Sequence, residues 1–297
     1  MRQVLLCEPN ISEGRDLEAV EKVVDELRGV EGIKILDLSS DADHNRSVFT
    51  YLGDPEHVLE ATKAMAARAL ELIDMTRHQG SHPRMGAVDV VPFVPVRGME
   101  TEDAVQIARR FGAFLGGLGV PVYYYEEAAT RPDREKLPRI RQGQYEALEE
   151  KLEDPSWAPD EGPHRFKPRA GATVTGVRFP LVAFNVNLRT ADQAVADRIA
   201  RAVRHISGGY RYVRAIGLTL EGESIVQVSM NLVNYTRTPL PRVLETIRSE
   251  AARYGVSVAG AELIGPVPLG ALEEVVRYYL QAHDFSMDQV IENALLD

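Results

Sequence analysis

One cysteine, one tryptophan and no long uncharged apolar run: these scarcities bound the 297-residue chain before any motif is read. Cys7, alone, cannot close an intrachain disulfide, which fits a reducing compartment, and a small buried hydrophobe in a strand is its ordinary role. The leader pattern of a secreted chain is missing as well, since Glu8 and Glu13 interrupt the first residues too early for a signal peptide. No stretch approaches the ~18 apolar residues that a bilayer span requires. An excess of basic charge is also absent. Lys and Arg total 34 against 44 Asp and Glu, a net charge of −10, whereas phosphate backbones are bound by basic stripes. The expectation is a cytoplasmic protein with neither a membrane nor a nucleic acid as partner. What is present is ordinary globular composition, 44% hydrophobic and 26% charged, in a length that suits one large domain or two of usual size. Its basic side chains gather locally, at Arg131, Arg134, Lys136, Arg139 and Arg141 and again at Arg165, Lys167 and Arg169, which leaves room for an anionic small molecule.

Apolar periodicity divides the chain into two rounds of one order. "QVLLCEP" reads as a short strand. Asp16 then caps a helix in which Leu17, Val20, Val23, Val24 and Leu27 share a face, ending near Gly29. Ile33–Leu38 and Ser47–Gly53 read as strands joined by the polar "SSDADHNR". Asp54-Pro55 opens a helix to about Asp74, with Val58, Leu59, Met65, Ala66, Ala69 and Ile73 inside and Thr62 bonding back one turn. A polar elbow, "RHQGSHPRMG", precedes the strand "AVDVVPFVPV". A helix from Thr101 to about Leu118 and the strand "PVYYY" follow. In the second round Leu181–Leu188 is a strand, and Thr190 with Gln193 makes a capping box for a helix to about Val203. "RYVRAIGLTL" and "ESIVQVSMNLV" are strands that turn around Glu221-Gly222. Thr238-Pro239 opens a helix to about Tyr254, "VSVAGAELIG" closes the round, and helices from Leu269 to Leu280 and from Ser286 onward end the chain. Both rounds read βαββαβ, the split βαβ arrangement of ferredoxin-like folds. The expected class is therefore α/β (α+β), with two duplicated subdomains at 1–178 and 179–297.

Between the rounds, Glu153–Val174 holds four prolines and two glycines. It reads as a surface linker or as a lid over a flat anionic ligand, because it also carries Trp157, His164, Phe166 and three basic groups. The elbow raises a similar choice. Gly80 and Pro83 keep His82 out of a helix interior. The spacing of His78 and His82 matches that of a zinc site, but there is no continuous helical face and no Glu between them. His82 is then either a turn histidine satisfied by backbone or a general acid-base imidazole. "DADHNR", Asp41–Arg46, builds an Asx turn or contributes to a site. Asn185 and Asn187 lie on one face of a strand, Asn231 and Asn234 end another, and Asn10 follows the first. Buried amides need partners, so they brace a loop or face a polar ligand. Glu126 and Glu127 can balance the basic run from Arg131.

Taken in order, "CEPNISEGR", "HNRSVFTYLG", "LIDMTRHQGSHPRMGAVDVVPFVPV", "VPVYYYEEA", "WAPDEGP", "GATVTG", "AFNVNL" and "QVSMNL" resemble the glutamate formiminotransferase family, folate enzymes of histidine breakdown. The likeness spans nearly the whole chain, and "HPRMGAVDVVPF" is highly specific. It implies two ferredoxin-like subdomains around a folate cleft. It implies transfer of a formimino group from N-formimino-L-glutamate to N5 of tetrahydrofolate, giving L-glutamate and 5-formiminotetrahydrofolate, with tetrahydrofolate as co-substrate and no metal. His82 takes the place of the family's catalytic base. The folate-binding segment falls on Gly162, Pro163, His164, Arg165, Phe166, Lys167, Pro168, Arg169, Ala170 and Gly171. Substrate contacts are expected from Asn10, Asp37, Asp41, Arg46, Glu126, Asn185, Asn187 and Asn231, with Asp37, Asp41 and Glu126 equal candidates for a carboxylate beside the amidinium. The family suggests a homodimer, and a separate cyclodeaminase downstream in place of the fused one found in animals. Three alternatives stand beside it: a glutamate N-formyltransferase using 5-formyltetrahydrofolate, a non-catalytic folate-binding protein, and a metal-dependent hydrolase built on "DADHN" and "HQGSH".

Overall fold

The computed structural model describes residues 3–220 and 224–296. Two compact units form, Met1–Arg178 and Phe179–Asp297. The first begins with β1 (Val4–Cys7) and its continuation β2 (Asn10–Ile11). Then come α1 (Leu17–Arg28), β3 (Ile33–Asp41), β4 (Arg46–Gly53), α2 (Pro55–Leu72) and β5 (Val88–Arg97). These strands pair antiparallel, with β3 beside β4, β4 beside β1 and β2, and those beside β5. α3 (Thr101–Gly117) leads to β6 (Val122–Glu126). The short helices α4 (Leu137–Ile140) and α5 (Leu148–Lys151) precede β7 (Thr173–Val177). β7 inserts between β5 and β6, parallel to both.

The second unit runs β8 (Val182–Leu188), α6 (Gln193–Val203), β9 (Val213–Thr219), β10 (Val226–Leu232), α7 (Leu240–Ala252), β11 (Val258–Ile264) and α8 (Leu269–Leu280). Its sheet order, β11-β8-β10-β9, repeats β5-β1-β4-β3 of the first unit strand for strand. The mixed α/β class and the duplicated βαββαβ order hold.

Local chemistry explains most boundaries. Asp16 accepts from the Ala19 amide at 3.0 Å to start α1, which buries Val20, Val23, Val24 and Leu27. Leu17, at the first helical position, is instead 62% exposed, because burial begins only at the next turn. Thr62, inside α2, donates to the Val58 carbonyl at 2.6 Å. Cys7 is fully buried, and burial pushes its thiol up to about 12, so it packs as a small hydrophobe.

Four expectations need correction. β3 continues through Ser39, Ser40 and Asp41, which pair with Val48, Ser47 and Arg46, so the polar loop shrinks to Ala42–Asn45. Thr190 and Gln193 form no capping box. Asp192 caps α6 by accepting from the Ala194 amide at 2.9 Å, while the Gln193 side chain takes the Thr219 hydroxyl at 2.7 Å. Beyond Ser286 the chain makes 3₁₀ turns, Met287–Gln289 and Ile291–Leu296, not an α-helix. β7 was hidden in what reads as the end of a linker. The turn expected at Glu221-Gly222 lies outside the described residues.

Helices α1 to α3 close one face of the first sheet over a continuous core. The opposite face is closed only at its parallel end. There Met85, Val90, Tyr123, Tyr125, Ile140, Leu148, Ala172 and Val174 form a second cluster, with Trp157 and Phe166 packed against it. This asymmetry leaves polar side chains accessible at the antiparallel end.

Candidate active site

Strand register gathers four of the polar residues singled out above. Side chains at alternate positions of a strand share a face, as do directly paired residues. Arg46, Val48 and Thr50 therefore point together from β4. Asn10 pairs with Val48, Asp37 with Thr50, and Asp41 with Arg46. Asn10, Asp37, Asp41 and Arg46 thus lie on the face that the helices leave uncovered, Asp37 and Asp41 exposed and Arg46 half-buried.

The elbow between α2 and β5 brings His82 to this face. The Arg46 Nη1 lies 2.7 Å from His82 Nε2. A guanidinium only donates, so Nε2 is the acceptor and the ring proton belongs on Nδ1, which is buried without a partner. The elbow is braced on the β3–β4 turn. The Ser81 amide donates to the Asp43 carbonyl at 3.2 Å, and Asn45 Nδ2 donates to the Gln79 carbonyl at 2.9 Å. His78 donates from Nε2 to the Asn45 carbonyl at 2.9 Å and accepts from Arg84 Nε at 3.2 Å. Both of its nitrogens are occupied in holding the elbow. Arg84 in turn grips Glu146 with two bonds of 2.8 and 2.6 Å.

The electrostatics separate the histidines from their ordinary behaviour. Burial, then the Arg46 and Arg141 guanidiniums and His44, push His82 down to about 4. At neutral pH it is an uncharged base. Burial also lowers His78, opposed by its bond to Asn45. Asp41 is lowered because it accepts from the His44 amide at 2.8 Å and sits 2.7 Å from His44 Nδ1. Two contributors were missed from the sequence. Asp89, fully buried, accepts from the Met85 amide at 2.8 Å and from Arg141, and burial pushes its carboxyl up against the pull of Arg141. A lone carboxylate inside the apolar "AVDVVPF" was a legible signal. Arg141 lay within a basic run and gave none of its own.

The segment from Gly162 to Gly171 is fixed to the elbow, backbone to backbone. The Ala87 amide donates to the Ala170 carbonyl at 2.9 Å, Ala172 to Met85 at 3.0 Å, and Met75 to Arg169 at 3.0 Å. Gly171 has φ +68° and lies so close that a Cβ would overlap the Met85 carbonyl oxygen. Along the segment Gly162, Pro163, His164 and Arg165 are exposed. Lys167 donates to the Leu118 carbonyl at 2.7 Å, Arg169 lies 3.5 Å from Asp74, and Pro168 accepts from the Tyr145 hydroxyl at 2.7 Å. The Phe166 ring packs 5.6 Å from that of Tyr145.

The remaining candidates lie elsewhere. Glu126, at φ +49°, ends edge strand β6, and its carboxylate is paired with Lys136 at 3.0 Å. Four strand spacings separate β6 from β4, roughly 19 Å at ~4.8 Å each, so Glu126 is not part of the His82 cluster. In the second unit, Asn185, Asn187, Gln227, Ser229 and Asn231 share one sheet face by register. Asn187 accepts from Gln227 at 2.8 Å and donates to Glu262 at 2.9 Å. Among the described residues, no helix is long and apolar enough to cross a membrane.

Two family models match the chain: the formiminotransferase domain, N-terminal subdomain, over residues 4–178, and the formiminotransferase domain over residues 183–295. The glutamate formimidoyltransferase of Streptococcus pyogenes serotype M1 is 47% identical across 100% of both chains. That of Thermoplasma acidophilum is 44% identical over 97% of this chain and 96% of its own. The formimidoyltransferase-cyclodeaminase of Mus musculus is 44% identical over 94% of this chain, which spans 53% of that longer protein.

Proposed function

The chain belongs to the formiminotransferase domain family, and on that premise we propose that it transfers the formimino group of N-formimino-L-glutamate to N5 of tetrahydrofolate in histidine degradation. The products are L-glutamate and 5-formiminotetrahydrofolate. It is an enzyme, a glutamate formimidoyltransferase. The observation that carries the mechanistic part is His82: an imidazole kept neutral by burial and cationic neighbours, at the edge of a polar sheet face.

As the new C–N bond forms, the N5 nitrogen must lose its proton, and as the old bond breaks the glutamate nitrogen must gain one. His82 serves both needs in turn. It takes the N5 proton as a neutral base and returns it to the leaving nitrogen as an acid, a contribution of typically ~10²–10⁴-fold. Positioning of the two substrates supplies more, about 7–11 kcal/mol in well-oriented reactions. No oxyanion develops on the tetrahedral carbon, so carboxylates suit the amidinium better than oxyanion-hole donors do. Asp37 and Asp41 share the face with Arg46, which supports them as the candidates for that role.

Tetrahydrofolate is the co-substrate, and Gly162–Gly171 is its binding segment in this reading. The backbone bonds from that segment to Met75 and Ala87 support it, because a ligand lying there would be held in fixed register with the His82 elbow. The acidic composition and the buried single cysteine support a cytoplasmic setting. Two relatives named only for the transferase, matched over 100% and 96% of their own length, support the transferase as the activity of this chain. The test is to incubate the protein with N-formimino-L-glutamate and tetrahydrofolate and follow product, with 5-formyltetrahydrofolate plus L-glutamate in parallel. Faster turnover of the formimino pair is expected; turnover of the formyl pair alone would overturn the assignment of the donor.

A further inference from the structure

Among the described residues Arg46 forms no ion pair; Asp89 and Asp41 act on it only through space. Its guanidinium bonds to His82 Nε2, and among those residues its buried Nε has no partner. The other guanidinium of the cluster is matched, since Arg141 holds Asp89. Asp41, the residue paired with Arg46 in register, is taken by His44. Arg46 cannot shed its proton. It therefore keeps a positive charge with no carboxylate in contact among the described residues, directed at a neutral nitrogen. The Nε2 lone pair is covered, and Nδ1 is buried, so neither nitrogen is free to receive a proton from a substrate.

We infer that Arg46 binds the α-carboxylate of the donor substrate, and that taking up this carboxylate draws the guanidinium off His82 and frees the base. The inference rests on the reading of His82 as the base of formimino transfer. A carboxylate can take the guanidinium in two parallel charge-assisted bonds and match its charge, which a neutral imidazole nitrogen cannot. The α-carboxylate is the one that fits. It is attached to the carbon bearing the reacting nitrogen, and Arg46 stands 2.7 Å from the nitrogen that must serve that atom. The γ-carboxylate lies two methylenes beyond that carbon. With Arg46 neutralised, the charged and titratable groups still acting on His82 are Arg141, just after α4 and held by Asp89 of β5, and His44 from the β3–β4 turn. The imidazole then regains proton affinity, so its basicity is restored only once the donor is seated.

Steady-state rates as a function of pH test this directly, because kcat/KM reports the free protein and kcat the loaded complex. The acid limb of kcat should lie at higher pH than that of kcat/KM. In Arg46→Gln the two limbs should coincide, and the donor KM should rise by roughly 10–100-fold, as for a lost charged hydrogen bond, with the folate KM unchanged. Coincident limbs in the wild type overturn the proposal. A second measurement needs no turnover: ¹⁵N spectra of the His82 imidazole with saturating additions. L-glutamate and L-glutamine, which keep the α-carboxylate, should shift its resonances; L-isoglutamine and 5-formyltetrahydrofolate alone should not, and Arg46→Gln should respond to none. A response to isoglutamine but not glutamine, to the folate alone, or to nothing overturns the assignment. Absence of formimino transfer by the wild type would remove the functional reading instead, and the spectra would then decide the carboxylate site by themselves.

Discussion

The two units share a strand order and differ in what they place on the sheet face that their helices leave open. In the first unit that face carries Arg46, Asp37, Asp41 and Asn10, with His82 brought to its edge. In the second it carries Asn185, Asn187, Gln227, Ser229 and Asn231, and Glu262 there is held by two carboxamides. The first arrangement sets burial and fixed charge around an imidazole, two of the causes that shift a proton affinity. Carboxamides donate and accept without titrating, which suits recognition of amide and carboxylate groups. On the proposed function, one architecture used twice carries the proton chemistry in one copy and a carboxamide-lined face in the other.

The largest expected effect would break that division if it failed. His82→Ala should lower kcat by ~10²–10⁴-fold with both KM values little changed, because a transition-state role is removed; His78→Ala should leave the pH profile intact, since His78 braces the elbow. A kcat loss in His78→Ala as deep as that in His82→Ala would merge the two roles. In the second unit, Asn185→Ala should raise a substrate KM by about 2–10-fold, the worth of one neutral hydrogen bond, with kcat unchanged. A loss in kcat on the His82 scale would end the contrast between the faces. Smaller still, replacing Arg165, Lys167 and Arg169 together by Ala should raise the folate KM a few-fold and reduce its salt dependence, since exposed charges contribute only ~0–1 kcal/mol each. Unchanged folate kinetics would return Gly162–Gly171 to a scaffold for the elbow. Last, Asp192→Ala should destabilise the second unit by ~0.5–2 kcal/mol through the lost cap while sparing catalysis, and thermal melts should show Thr190→Ala to be the milder change.

Much of this was legible in the sequence, for physical reasons. The helical faces of α1 and α2 and the alternation in β8 and β10 follow from local periodicity, so the duplicated order could be read directly. His82 stood out because Gly80 and Pro83 excluded a helix. What could not be read depends on contacts distant in sequence. The continuation of β3 through Ser39–Asp41 is set by pairing with Arg46–Val48, and a polar run offers no apolar alternation to betray it. β7 has only five residues, sits behind a proline-rich stretch, and exists because β5 and β6 flank it. The Asp89–Arg141 pair joins positions 52 apart, and the lack of a carboxylate in contact with Arg46 among the described residues is a fact about partners, which no spacing encodes.

The central claim is that His82 of the first unit is the proton-moving group and is neutral in the free protein. Its direct test is the pH dependence of kcat/KM. The ordinary imidazole value is 6.5, and the folded environment lowers it to about 4. Because the value is depressed, the active neutral form persists as pH falls and is lost only on passing through the lowered value. The account predicts that kcat/KM stays level through 6.5, declines toward about 4, and loses that limb in His82→Ala. A limb centred at 6.5, or one that survives unchanged in His82→Ala, would contradict it.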